Sequence, residues 1–334
     1  MTSIVIPAHN EERVIGRLLD SLLAGSASDS GTGPDIVVVC NGCTDATAKE
    51  AAARPGVRVV EIPTPSKHLA LRTGDEHARG FPRLYVDADV VIGADDVRAL
   101  AGALDRAPRL LAVAPERELP LVGCGWRVRA YYRVWSRLPA VREGLFGRGV
   151  IAVTEQGYER IAALPPLMAD DLAASLAFAP GERLVVDGAR VVVHPPRTWT
   201  DLIKRRIRAA VSTAQLEQRQ SQTAAEAEAA AGVEVEIETA AEVETAAEVG
   251  TAAEADTAAR VSAGVGEPRA ESAAPPSART STADLRTLLR REPGLLPSVV
   301  VFLAAAVTAR RKSGKAIRDQ EFGTWLRDES SRQG

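Results

Sequence analysis

Apolar residues in the first hundred positions switch between short continuous runs and helical spacing. Ser3 to Ile6 is a short apolar run, which predicts a strand broken by Pro7-Ala8-His9-Asn10. From Glu11 to Leu23 the residues Val14, Ile15, Leu18, Leu19, Leu22 and Leu23 form a stripe, so a helix is predicted there. Asn10 is its expected N-cap, with Glu11 and Glu12 in the first turn. Residues 24–34 are rich in Gly, Ser and Asp and read as loop. Asp35 to Cys40 predicts a second buried strand, Ala46 to Ala53 a helix ended by Pro55-Gly56, and Val57 to Ile62 a third strand. Lys67 to Arg79 predicts a third helix and Leu84 to Val86 a fourth strand. Strand and helix alternate at crossover spacing, so an α/β fold is expected, with a parallel sheet and helices on both faces.

The pattern continues less regularly. Asp95 to Leu104 predicts a helix and Leu110 to Pro115 a strand. Trp126, Tyr131, Tyr132 and Trp135 recur at helical spacing, first a packing stripe, with a sugar platform as the alternative for a subset. Val150 to Val153 predicts a strand and Gly157 to Leu164 a helix stopped by Pro165-Pro166. Another helix opens at Ala169-Asp170-Asp171-Leu172. Leu184 to Val186 and Arg190 to Val193 predict two strands, ended by His194-Pro195-Pro196. Residues 198–219 read as a basic helix carrying Lys204, Arg205, Arg206 and Arg208, either a solvated face or a cationic one toward donor phosphate or anionic membrane.

Composition then divides the chain. No aromatic occurs between Trp199 and Phe302, and Thr-Ala-Ala recurs every six residues from 239 to 257. Such a stretch cannot bury a core, so 220–283 is expected to be a disordered Ala/Glu/Thr-rich linker between a domain over 1–219 and a helical segment over 284–334. Leu295 to Ala309 is a mostly apolar run of 15 residues ending in Arg310-Arg311-Lys312. It is shorter than the roughly 20 residues of a spanning helix. It therefore reads as a docked core helix or an interfacial anchor.

Net charge is −3 over 334 residues, but residues 216–283 alone carry −9, which leaves +6 for the rest. The whole is no nucleic-acid binder by bulk charge, and its remainder suits anionic ligands. The three cysteines, Cys40, Cys43 and Cys124, are odd in number, and the N-terminus shows no basic leader, so a reducing, cytoplasmic setting is expected. Cys40-Asn41-Gly42-Cys43 is formally a redox or zinc spacing, without the second pair that zinc needs.

The chemistry concentrates at Asp87-Ala88-Asp89. Carboxylates two apart at a strand end share one side of the chain. At the carboxyl edge of an α/β sheet they suit a hard divalent cation with positions left for phosphate oxygens. The bland alternative is a turn cap followed by a loop. The same edge collects Pro7 to Glu11 and Asn41 to Asp45.

Together, Ile4 to Glu12, Val38 to Asp45, Val86-Asp87-Ala88-Asp89 and Ala169-Asp170-Asp171-Leu172, followed by Arg205-Arg206-Ile207-Arg208, resemble family 2 glycosyltransferases over about residues 1–212. The segment from 284 looks like that of bacterial polysaccharide-assembly, cell-envelope members. The resemblance implies a GT-A fold: a Rossmann-like, mostly parallel sheet flanked by helices. It also implies inverting transfer of a hexosyl group from a nucleotide-diphosphate sugar, with Mg²⁺ or Mn²⁺. By resemblance Pro7, Ala8, Asn10 and Glu11 border the nucleotide and Lys67 reaches the diphosphate. Asp87 faces the ribose or sugar, and Asp89 and His194 hold the metal. Asp171 is the general base, with Asp170 beside it; the alternative for the pair is an N-cap and first-turn acid of a helix, and for His194 a strand-end cap before Pro195. Asn41 stands where the family often has a base-binding acid. Arg205 and Ala209 replace the Gln and Trp of the family's Gln-x-x-Arg-Trp, while Arg208 keeps its arginine, so single transfer is expected rather than processive polymerisation. The expected partners are the donor and a hydroxyl acceptor, either a lipid-linked glycan or a small molecule. No nucleic acid is expected, and a peripheral contact with the inner face of the membrane is the alternative to a wholly soluble setting. A nucleotidyltransferase and a non-catalytic nucleotide-sugar-binding module remain open alternatives. The first would show a Gly-rich basic loop after the first strand, and Pro7 to Glu12 has no glycine. A Rossmann dehydrogenase is not expected, because no G-x-G-x-x-G follows the first strand.

Overall fold

The structure, a computed structural model, describes residues 1–24, 33–164, 170–219, 221–222 and 281–318. Two compact units divide the chain: Met1–Gln215 with Ser277–Gly334, and Leu216–Pro276. Most of the second unit and of the expected linker over 220–283, and the tail beyond 318, fall outside the described residues.

The first unit opens with β1 (Ser3–Ala8), α1 (Ile15–Leu23), β2 (Asp35–Asn41), α2 (Thr47–Ala52), β3 (Val57–Ile62), α3 (Lys67–His77) and β4 (Arg83–Val86). It continues with β5 (Val90–Ile92), α4 (Ala94–Arg106), β6 (Ala112–Glu118), α5 (Trp126–Trp135), α6 (Pro139–Glu143) and β7 (Val150–Val153). Then come α7 (Glu155–Ala162), α8 (Asp170–Leu176), β8 (Arg183–Val193) and a helix α9 over residues 199–219. After the gap stand α10 (Thr282–Arg291), a 3-10 turn (Pro293–Leu295) and α11 (Leu296–Arg318).

All eight strands form one sheet in the order β3-β2-β1-β4-β7-β6-β8-β5. The first four are parallel, as the alternation predicts. Beyond β4 the sheet turns mixed: β7 is antiparallel to β4 and β6, β8 is parallel to β6, and β5 is antiparallel to β8. Period-two alternation sorts the central strands between two helical layers. Ile4, Ile6, Ile36 and Val38 pack toward α1 and α4, while Val37 and Val39 pack on Ala70 of α3. Each fully buried Ile, Leu or Val contributes about 1.5–3 kcal/mol.

Several expectations change. β1 runs on through Pro7 to Ala8, because both pair with β2 while β4 stops at Val5, and a proline tolerates one strand neighbour. α1 begins at Ile15, and Asn10 is not its N-cap: Asn10 has φ +53° and spends its side chain across the loop. The two strands expected near 184 and 193 are one bent strand, β8. Gly188 takes φ +87° at the bend, and β6 shifts register at Pro115/Glu116 to pair both halves. The short helix α6, with Pro139 in its first turn, was not expected.

The segment after 281 docks on α5. Phe302 of α11 stacks on Tyr131 at 5.2 Å, and Tyr132 meets both Tyr131 and Trp135 edge-on. The aromatic stripe is therefore mainly packing; Trp126, at the start of α5, stays exposed. α11 extends well past Ala309, so a helix over Pro293–Gly314 has the length and composition to cross a bilayer, a correction to the shorter run read from sequence. A third of it is buried inside the unit, including Val299, Phe302 and Ala305.

Asp35 ties the far edge together. Buried at the start of β2, it accepts hydrogen bonds from Ser3 Oγ (2.9 Å) and Arg79 N (2.9 Å) and pairs with Arg58. Burial alone raises its pKa, but the Arg79, Arg58 and Ser3 hydrogen bonds outweigh it and hold the pKa below its usual value. The linked stability is complete above the unfolded value of about 3.9 and is lost as pH falls through the lower folded one. Asp35→Asn is expected to cost about 2 kcal/mol at neutral pH, with a smaller gap to wild type in acid. Urea melts at both pH values test it; an equal gap at each would remove the carboxylate charge as the cause.

Candidate active site

The carboxyl ends of β1, β2 and β4 meet at one edge, and the loops after β1 and β2 interlock there. Thr44 N donates to Asn10 Oδ1 (2.7 Å), Glu11 N to Thr47 Oγ1 (2.7 Å), Glu12 N to Asp45 Oδ2 (3.2 Å) and Ala46 N to Glu12 Oε2 (3.0 Å). Burial would raise the Asp45 pKa, but hydrogen bonds from Thr47 and Glu12 N keep it below the usual range. Asn41 is buried, with Nδ2 donating to Ala8 O at 2.8 Å. Its amide thereby braces the ends of two neighbouring strands. Cys40 and Cys43 are free thiols, and burial followed by the neighbouring Cys43 pushes Cys40 up to about 12.

A cavity of about 110 Å³ opens beside β4. Pro7, Lys67, Asp87, Gly149 and Asp171 stand on its wall, with Asp75 and Tyr85 deeper in. Lys67 Nζ pairs with Asp87 Oδ1 at 2.8 Å. β4 and β7 pair Val86 with Val150, and the next step of that ladder sets Asp87 N on Gly149 O at 2.7 Å. Two residues earlier in the same turn, Gly147 N donates to Asp171 Oδ2 at 2.8 Å, and Leu172 N holds Asp171 Oδ1 at 2.8 Å. One glycine turn thus holds the backbone of Asp87 and the carboxylate of Asp171.

A buried arginine, Arg148, and a half-buried one, Arg117, hold that turn from behind. Arg148 donates to the carbonyls of Gly144, Pro115, Val141 and Arg142. Arg117 donates to Gly147 O (3.0 Å) and Val141 O (2.8 Å) and lies over Trp135. Burial, with Arg148 and Arg205 adding to it, lowers Arg117 to about 9, and burial lowers Arg148 to about 10.

Gly149 itself is required by geometry. Its φ is +66°, and a Cβ there would lie 2.5 Å from Val90 Cγ1 and 3.3 Å from Asp87 Oδ2. Gly149→Ala is expected to cost about 1–2 kcal/mol of left-handed strain and to displace Asp87. A lowered melting temperature together with weaker nucleotide binding checks this; a variant identical to wild type in both would refute it.

Asp89 and His194 meet at a different place. β5 and β8 pair Val90 with Val193, so the residues just beyond, Asp89 and His194, flank the same strand end. Asp89 is close enough to act electrostatically on His194 and on Arg17. Burial first and then the Arg17 guanidinium lower the His194 pKa, with Asp89 opposing, so the neutral imidazole that ligates metals is favoured. His194 Nδ1 is buried without a hydrogen-bond partner, as are Arg17 Nε and Nη2. Arg205 Nη1 reaches His194 O at 3.5 Å. Among the described residues no three His, Cys, Asp or Glu side chains gather to hold a metal. A carboxylate and an orphaned imidazole fit a divalent cation whose other positions come from phosphate oxygens and water.

Of the residues singled out from sequence, Pro7, Lys67, Asp87 and Asp171 line the cavity, and Asp89, His194 and Arg205 cluster at the β5–β8 end. Ala8, Asn10, Glu11 and Asn41 form the interlocked loops. Arg208 lies one turn along α9 from Arg205. The side chain of Asp170 lies outside the described residues. Sequence reasoning missed Arg17, Gly149, Arg117 and Arg148. Gly147-Arg148-Gly149 carried a usable signal, since paired glycines before a strand mark tight backbone. Arg17 carried none, because only the β5–β8 pairing brings Asp89 to α1.

The family model described as glycosyl transferase family 2 matches residues 3–149, from β1 to the glycine turn. An uncharacterized glycosyltransferase of Mycobacterium tuberculosis is 30% identical over 167 residues, covering 45% of this chain and 71% of that protein. Undecaprenyl-phosphate 4-deoxy-4-formamido-L-arabinose transferase of Shewanella sediminis is 37% identical over 94 residues, 26% of this chain; the match spans 28% of that relative's length. A mannosyltransferase from Pyrobaculum calidifontis, solved in complex with GDP-Man and Mn²⁺, shares the fold with a TM-score of 0.54 at 20% identity, over 93% of this chain and 86% of that one. With a mixed sheet of this topology and a relative matched over most of its length, the chain belongs to glycosyl transferase family 2.

Proposed function

We propose that the protein transfers a sugar from a nucleotide-diphosphate sugar to an acceptor hydroxyl with inversion, Asp171 acting as general base. The observation that carries this is the glycine turn that holds Asp87 and Asp171 on one cavity wall, with Lys67 between helix α3 and Asp87. Asp87 and Lys67 position the donor's sugar and diphosphate. The acceptor oxygen bonds to the anomeric carbon, the bond from that carbon to the diphosphate oxygen breaks, and the acceptor proton passes to Asp171. The carboxylate must stand on the face opposite the leaving group, which makes inversion the outcome. Lys67, Arg17 and Arg205 supply positive charge where the diphosphate accumulates negative charge. Asp89 and His194 would hold Mg²⁺ or Mn²⁺, which supplies Lewis-acid stabilisation of the leaving diphosphate. The arginine-for-glutamine change at Arg205 favours a single hexosyl transfer. The Shewanella relative's name supports a lipid-carried acceptor, and the cytoplasmic side of the cell envelope is the setting that this reading assigns.

Thermal-shift measurements against UDP, GDP, dTDP and CDP, with and without Mn²⁺, test the donor site. Stabilisation by one nucleotide only when Mn²⁺ is present is the expected result. No stabilisation by any pair would overturn the reading.

A further inference from the structure

α11 has two apolar faces, and only one is used. Val299, Phe302 and Ala305 face α5 and are buried. On the opposite side Leu296, Val300, Leu303 and Val307 stand at intervals of four, three and four residues, each between 46% and 60% exposed. That spacing is one continuous helical stripe facing outward. Exposed Pro297 and Ala304 widen it.

Charge is distributed along the same helix with one sign. From Pro293 to Arg318 the sequence holds no Asp or Glu, and exposed Arg310, Arg311 and Lys312 follow the stripe directly. Along one side, a groove between α10 and α11 has Leu285, Leu289, Val299 and Leu303 as its apolar part and Arg286 and Arg290 as its cationic part.

The packing of α11 on α5 brings further apolar residues to the cationic end. Arg137, just after α5, pairs with Glu292, just before α11, at 3.1 Å, while Tyr131 stacks on Phe302. The two helices therefore run antiparallel. At 1.5 Å per residue, Trp126 lies level with Val307, one turn short of Arg310. Val122 and Trp126 are 93% and 61% exposed there, with Arg127 over the Trp126 ring. Apolar stripe, exposed tryptophan and unopposed cations at one level are the chemistry of a bilayer's headgroup boundary.

We propose that the outward face of α11, with its Arg310-Arg311-Lys312 end and Trp126, is a docking surface for an anionic lipid bilayer. The helix lies along the membrane plane with its inner face still packed on α5. Val300, Leu303 and Val307 enter the acyl boundary and the cations meet lipid phosphates. This surface goes beyond the donor-site reading and does not depend on it, because vesicle binding needs no nucleotide sugar.

Co-sedimentation of the full chain with vesicles tests it. The protein is expected to pellet with phosphatidylglycerol-rich vesicles, to stay largely in solution with pure phosphatidylcholine, and to be released in part by high salt. Arg310→Ala/Arg311→Ala/Lys312→Ala is expected to weaken partitioning about a hundredfold, at roughly fivefold per cation. Val300→Asp/Val307→Asp is expected to abolish it without lowering nucleotide-dependent stabilisation. Both variants change only exposed side chains, and an unchanged melting temperature shows that each folds. Failure of the wild-type chain to bind anionic vesicles would overturn the proposal. So would a dimer in light scattering, broken by the double aspartate variant, in a protein that ignores vesicles; the stripe would then face a second copy. Loss of nucleotide stabilisation with vesicle binding intact would refute the donor-site reading alone.

Discussion

Asp171→Asn is expected to lower kcat by about 10³-fold while nucleotide-dependent thermal stabilisation survives. General-base catalysis by a positioned carboxylate contributes roughly 10²–10⁴-fold, and an amide of the same shape cannot take the acceptor's proton. The geometry sharpens the expectation. Gly147 N and Leu172 N each donate to one Asp171 oxygen, so the carboxylate is held by two backbone donors. An asparagine keeps only one of them, since its nitrogen does not accept from an N–H. Some loss of order in the turn is therefore expected on top of the lost base. Steady-state kinetics with saturating donor, beside thermal shifts with the matching nucleotide, separate the two effects. A kcat close to wild type would take proton transfer away from Asp171.

Asp89→Ala is expected to eliminate the Mn²⁺-dependent part of nucleotide binding and to lower kcat/KM by about 10²-fold or more. Several kcal/mol of leaving-group stabilisation are at stake, and about 1.4 kcal/mol corresponds to a factor of ten. The site makes a more specific demand. Among the described residues Asp89 and His194 stand together, and no third His, Cys, Asp or Glu gathers with them to hold an ion. Diphosphate oxygens must complete the coordination shell, so metal and nucleotide should bind only together. Calorimetric titration with Mn²⁺ alone is expected to give little heat, and titration in the presence of nucleoside diphosphate a clear isotherm. Strong Mn²⁺ binding without nucleotide would place the ion at a different, more complete site.

Arg17 explains why such synergy is expected. A guanidinium beside Asp89 and His194 repels a lone cation but welcomes a metal–diphosphate pair, and its Nε and Nη2 have no protein acceptor. Nothing along the sequence singles out Arg17 as anything but a polar residue on an amphipathic helix. Val14, Ile15, Leu18 and Leu19 around it announce the buried face of α1, and the polar face reads as solvent. The antiparallel return of β8 onto β5 is what closes that face over the site.

The contrast holds for the other elements. The parallel core β3-β2-β1-β4 was legible because strands buried on both faces read as continuous Val/Ile runs and the intervening helices show clear stripes. Asn10 was misread as a cap because Ser, Thr, Asp and Asn look alike before a helix whatever their backbone. A left-handed Asn10 tied to Thr44 depends on the neighbouring loop. The strands read at 184–186 and 190–193 are one, because pairing with β6 turns Asp187-Gly188 into a bend.

By itself the sequence determined the alternating α/β core, the acidic pair at the end of β4, and the order of motifs that marks the family. All of these rest on local period, burial and spacing, which are written in consecutive residues. Tertiary structure alone decided which carboxylates share a wall. Asp87 and Asp171 are joined through one glycine turn, and Asp89 is sent instead toward His194 and Arg17. It also decided that α11 keeps one apolar face for α5 and turns the other outward. The reason is the same in each case: contacts between residues far apart in sequence are set by strand pairing and helix packing, and hydrophobicity along the chain gives a residue's burial but not its partner.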